Sequence, residues 1–114
     1  MVLTPPLAVQ GRTIPLDPEG YLSNLDDWSP EVAVALASAE GLTLSAEHWE
    51  VIDLLRGFYA QYQLSPAMRI LVKQVKLELG PSKGSSIHLL QLFPGSPAKL
   101  ASKIAGLPKP TNCL

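Results

Sequence analysis

Cysteine is almost absent from this chain: one residue in 114, Cys113, next to last in the sequence. A single cysteine excludes an internal disulfide. Histidine is nearly as scarce, with His48 and His88 alone. A zinc site would need carboxylates at no recognisable spacing, so no metal is expected. No Walker loop, dinucleotide fingerprint or Gly-x-Ser-x-Gly elbow is present, which leaves phosphate and cofactor chemistry without support, and no cofactor is expected. No stretch approaches the roughly 18 consecutive apolar residues that span a bilayer. Met1 to Gln10 lacks the basic start and long apolar run of a signal peptide. The expected location is therefore the cytoplasm, with no membrane partner.

What is present describes a globular chain broken into short pieces. Hydrophobic residues make up 46% and charged residues 17%, and 11 prolines interrupt them. Leu7 to Ile14 alternates weakly around Gln10-Gly11, which predicts a β-hairpin, with Asp17-Pro18-Glu19-Gly20 as the turn that leaves it. Ser29-Pro30-Glu31 predicts a helix start: a serine cap, a proline where the missing N–H costs nothing, and an acid at the positive end of the dipole. That helix is expected to stop at Gly41. Ser45 is placed to cap a second helix, in which Trp49, Ile52, Leu55, Phe58, Tyr59 and Tyr62 recur at helical spacing as core residues.

Ser65-Pro66 repeats the cap-and-proline device, and Met68, Leu71, Val72, Val75 and Leu79 follow at helical spacing until Gly80-Pro81. Ile87 to Phe93 predicts a short fourth helix, and Ser96-Pro97 a fifth that ends at Gly106. The expected fold class is mainly α, with about five short helices in an orthogonal bundle, a small N-terminal β-hairpin and a flexible C-terminal arm. The expected division is a helical domain over 1–106 and a mobile arm over 107–114. Asp26 and Asp27 fit capping and surface roles, and Trp28 and Trp49 fit core anchors.

Charge is unevenly spread along the chain. Residues 1–65 hold nine acids against Arg12 and Arg56, a net of −7, and residues 66–114 hold seven bases against Glu78, a net of +6. Two accounts stay open. The halves pack together and neutralise one another, or a basic face near the tail steers acidic partners or, transiently, RNA. Arg69, Lys73 and Lys76, spaced by four and three, would form one stripe on the third helix. They are the expected basic partner surface.

Cys113 follows Leu107-Pro108-Lys109-Pro110, where two prolines bar a continuing helix. A thiol there is expected to visit reactive centres on other proteins. An ordinary thiol has a pKa of about 8.5, so a small fraction is thiolate at neutral pH, and thiolate attacks sulfane sulfur or a disulfide.

Blocks along nearly the whole chain carry a resemblance. They are Gly20-Tyr21-Leu22, Asp27-Trp28, Glu47-His48-Trp49-Glu50-Val51-Ile52, Leu55-Arg56, Tyr59, Tyr62 and Ser65-Pro66-Ala67-Met68-Arg69. At the end stand Leu92-Phe93-Pro94, Gly95, Pro97-Ala98-Lys99 and Ala105-Gly106-Leu107-Pro108-Lys109-Pro110, then the penultimate Cys113. These resemble the DsrC/TusE family of sulfur-relay proteins.

The resemblance implies a mostly helical fold and a flexible arm whose penultimate cysteine, Cys113, carries sulfur as a persulfide. Gly106, Leu107, Pro108, Lys109 and Pro110 would serve the arm and partner docking, with Gly106 as hinge and Leu107 as anchor. DsrC proteins of dissimilatory sulfur metabolism have a second arm cysteine eleven positions earlier, where this chain has Ser102. The TusE branch is therefore implied: a sulfurtransferase that takes sulfur from the TusBCD complex and passes it toward the thiouridylase MnmA with bound tRNA, for 2-thiolation of the wobble uridine. The competing readings are a DsrC-like regulatory or nucleic-acid-binding module and a partner of a sulfite reductase.

Overall fold

A computed structural model describes residues 5–110. The chain opens with an antiparallel hairpin, β1 (Leu7–Val9) and β2 (Arg12–Ile14), in which Leu7 pairs with Ile14 and Val9 with Arg12. Gln10 and Gly11 both have positive φ, 51° and 77°, the pairing a two-residue type I′ turn requires. The next turn is held by Asp17, whose Oδ1 accepts the N–H groups of Glu19 and Tyr21.

Five helices follow: α1 (Pro30–Ala39), α2 (Ala46–Tyr62), α3 (Met68–Leu79), α4 (Ser86–Leu92) and α5 (Pro97–Ile104). The mainly α architecture with a two-stranded hairpin is as the sequence predicts. α1 starts as expected, with Ser29 Oγ accepting the Val32 N–H at 3.2 Å and Pro30 in the first turn. Ser45 caps α2, and the reciprocal partner is His48, whose Nδ1 accepts the Ser45 N–H at 3.0 Å. The His48 Nε2 must then carry the proton, and it donates to the Leu92 carbonyl at 2.7 Å. One imidazole thus caps α2 and fastens α4 to it.

One predicted start needs correction, that of α3. It begins at Met68 with Ala67 in the cap position and no side-chain cap bond, because the Ser65 hydroxyl is directed at the chain's far end. α5 starts at Pro97 with Ser96 in the cap position, as the sequence predicts, and Ser96 makes no side-chain cap bond.

α5 is the hub, touching α1, α2, α3 and α4. Its buried face is made of Pro97, Ala98, Ala101, Ser102 and Ile104, mostly small side chains that let four helices approach one axis. Ile52, Leu55, Leu71, Leu89 and Phe93 fill the space around it and are fully buried, each contributing about 1.5–3 kcal/mol. Trp49 and Tyr59 pack on the edge of this core. Tyr62, predicted as core, is instead 51% exposed, and Phe58 is only half-buried. The cause is length: at 1.5 Å per residue α2 runs about 25 Å against about 12 Å for α5, so its last turn overhangs. Among the described residues no helix is long and apolar enough to cross a membrane.

Candidate functional site: the root of the carboxy-terminal arm

A helix that ends inside a protein leaves its last four carbonyls without intrahelical donors. At the end of α5 these belong to Ser102, Lys103, Ile104 and Ala105, and each finds a donor. The Leu107 N–H bonds the Ser102 carbonyl at 2.9 Å and the Gly106 N–H bonds the Lys103 carbonyl at 3.1 Å, the paired bonds of a Schellman motif. Trp28 Nε1–H donates to the Ile104 carbonyl at 3.0 Å, and Arg56 Nη1–H donates to the Ala105 carbonyl at 2.7 Å. The Arg56 guanidinium also lies 3.8 Å from the Trp28 ring centroid, a cation–π contact. Burial holds the Arg56 pKa below its usual value, and nearby Asp53 offsets only part of that.

This arrangement admits only glycine at 106. Its φ is +73°, and a Cβ there would collide with Cβ, Cγ and Cδ1 of Trp28. The chain therefore reverses direction against an indole face, and Leu107 enters the core at 3% exposure. Ser65 Oγ–H then donates to the Pro108 carbonyl at 2.5 Å, and Lys109 Nζ meets Glu19 at 2.8 Å. Pro110 is buried.

The five predicted arm residues Gly106, Leu107, Pro108, Lys109 and Pro110 thus share one track along the body. Gly106 takes a left-handed conformation and Leu107 is buried. Residues 107–110, assigned above to the mobile arm, lie against the helical domain. Cys113 lies outside the described residues. Arg69, Lys73 and Lys76 are all exposed on α3.

Sequence reasoning missed Trp28 and Arg56 as the pair that closes α5. Trp28 is half-buried and packs against the core, as expected of an anchor, and it also covers the helix end. The signal available was their presence in the blocks Asp27-Trp28 and Leu55-Arg56. Ser102 is fully buried at 0% exposure, and its Oγ has no hydrogen-bond partner among the described residues. The charge asymmetry is partly resolved within the fold: Lys83 pairs with Glu50 at 2.7 Å, Lys103 with Glu40 at 3.6 Å and Lys109 with Glu19. Among the described residues no group of three or more His, Cys, Asp or Glu side chains is placed to hold a metal ion.

Comparison with known proteins gives this geometry a context. The family model described as "DsrC like protein" matches residues 8–114. The protein named Sulfurtransferase TusE from Salmonella typhimurium (strain LT2) is 51% identical over 108 residues, covering 95% of this chain and 99% of that protein. The Yersinia pestis protein of the same name is 50% identical over 108 residues, with the same coverage. Among solved structures, the NMR structure of Allochromatium vinosum DsrC superposes with a TM-score of 0.88 at 49% identity, covering 96% of this chain and 98% of that one. The crystal structure of the oxidized gamma-subunit of the dissimilatory sulfite reductase (DsrC) from Archaeoglobus fulgidus gives 0.85 at 41% identity, covering 96% and 100%. Sequence likeness over nearly its whole length and the shared backbone agree that this chain belongs to the DsrC-like family.

Proposed function

We propose that this chain is a sulfurtransferase that works as a sulfur carrier, with Cys113 as the acceptor and donor thiol. The observation that supports it most is the 51% identity to Sulfurtransferase TusE across 95% of this chain and 99% of that protein. The arm root supports the same reading: Leu107 to Pro110 are held by specific contacts, and Cys113 follows three residues later in the chain.

The chemistry is neutral in electrons. The Cys113 thiol loses a proton, and the thiolate attacks the outer sulfur of a persulfide on the donor protein. The donor's S–S bond breaks, the donor cysteine leaves as thiolate, and a persulfide forms on Cys113. The second transfer repeats the step with Cys113 as the leaving group. No metal or redox cofactor enters it. The finer assignment is that TusBCD supplies the sulfur and MnmA, with tRNA bound, receives it for wobble-uridine 2-thiolation in the cytoplasm.

A second reading, a partner of a sulfite reductase, draws on the likeness to the Archaeoglobus fulgidus gamma-subunit. Ser102 weighs against it, because this chain then lacks the second arm thiol that the resemblance associates with dissimilatory members.

The test is intact mass after incubation with a cysteine desulfurase and the TusBCD relay. The wild type is expected to gain one sulfur and Cys113→Ser none. Labelling of the variant would sink the carrier reading. Cells carrying only Cys113→Ser should lose tRNA 2-thiouridine while the protein stays folded.

A further inference from the structure

Exposed apolar side chains gather where the overhanging end of α2 meets the start of α3. Leu64 is 53% exposed and Ile70 41%, and with Phe58, Tyr62 and Pro66 they line a cleft of about 330 Å³. The Phe58 and Tyr62 rings pack against each other with centroids 4.6 Å apart. Ile70 and Leu77 are seven residues apart on α3, about two turns, so they fall on one line. Leu77 is 69% exposed. Single exposed apolar residues are ordinary, whereas a cleft lined by several of them marks an interaction site; Leu77 lies beyond the cleft on the same line, past Lys73 and Gln74.

The charges around this patch are lopsided. Arg69, Lys73 and Lys76 border the Ile70–Leu77 line on one side, and none has an ion-pair partner among the described residues. Gln74 and Glu78 lie on the opposite side, facing Asp53 and Gln61 of α2. The patch also adjoins the arm: Ser65 lines the cleft, and its hydroxyl holds the Pro108 carbonyl. A molecule resting in the cleft would sit beside the segment that leads to Cys113.

We propose that this α2–α3 face is the docking surface for a protein partner that presents an apolar stripe bordered on one side by carboxylates. The inference rests on the relay reading and adds the place where a relay protein holds on while sulfur moves. Protein is favoured over RNA because the two aromatic rings of the cleft, Phe58 and Tyr62, already pack on each other and the rest of its apolar lining is aliphatic. Leu64, Ile70 and Leu77 neither stack on bases nor pair with phosphates, and they gain only from a matching apolar surface. Bases on one border and acids on the other fix the partner's orientation.

The test measures binding of purified TusBCD to the wild type, Ile70→Ser/Leu77→Ser, Lys73→Glu/Lys76→Glu and Cys113→Ser, each confirmed as folded by circular dichroism. Both surface pairs are expected to weaken binding about tenfold or more, and Cys113→Ser by less than about threefold. The loss in the lysine pair should shrink at high salt, and the loss in the apolar pair should not. Sulfur loading of Cys113 from inorganic polysulfide, where a shortened polysulfide leaves, should match wild type in both surface pairs.

Wild-type affinity in both pairs would overturn the docking surface, as would failure of the wild type to bind. A loss seen only with a tRNA probe would reassign the face to nucleic acid and overturn it too. The relay reading fails separately: if the wild type binds, and the surface pairs do not, while no sulfur reaches Cys113, the surface stands and the carrier role falls.

Discussion

The end of α5 and the outer face of α3 lie in the same small domain and are finished in opposite ways. At the end of α5 every orphan carbonyl has a donor, two from the turning backbone and two from Trp28 and Arg56. On the outer face of α3, Ile70 and Leu77 are open to water, and Arg69, Lys73 and Lys76 have no ion-pair partner among the described residues. The contrast separates what the chain needs in order to fold from what it leaves for another molecule. Contacts at the arm root are consumed internally, and those on α3 remain available.

The most severe way to break this contrast is at the arm root. Gly106→Ala imposes a left-handed backbone on a residue with a Cβ, about 1–2 kcal/mol, and forces Trp28 off the helix end as well. A total of about 3 kcal/mol is expected, read as a fall in Tm of about 10 °C or more in a thermal melt. Retention of wild-type stability would mean that Trp28 yields freely and does not fix the turn.

A smaller effect is expected from Ser65→Ala, which strips the Pro108 carbonyl of its donor at a cost of about 1 kcal/mol. Amide exchange of Leu107 and Lys109 should accelerate while that of the α2 and α4 interior is unchanged. The smallest effect belongs to the outer face. Leu77→Ser should shift stability by less than about 0.5 kcal/mol in urea unfolding. A larger loss would show that this face belongs to the fold, and the contrast would close.

Local chemistry was legible in the sequence, and distant pairing was not. Ser29-Pro30 predicted the start of α1 because the serine, the proline and the N–H it caps lie within four residues. Ser65-Pro66 has the same signature, but its hydroxyl is claimed by Pro108, 43 residues away, and nothing near residue 65 announces that. Tyr62 fits the apolar spacing of α2 and is exposed because its helix outruns its neighbour, a comparison of lengths rather than a pattern within one helix. Gly106 was readable as a left-handed helix end. That its hydrogen is the only group able to fit beside Trp28 required the fold. Ser65 and Glu19, which hold Pro108 and Lys109 to the body, gave no signal in the sequence for those ties.

The arm root also has a history within folding. Its side-chain ties span 76 residues from Trp28 to Ile104, 49 from Arg56 to Ala105, 43 from Ser65 to Pro108 and 90 from Glu19 to Lys109. Each closes a long loop whose entropy must be met before the contact repays it. None can form in a nascent chain that still lacks α5, and none survives alone if the bundle opens. The track that leads to the thiol is therefore completed only with the finished domain, so a partly folded chain carries the cysteine without its approach.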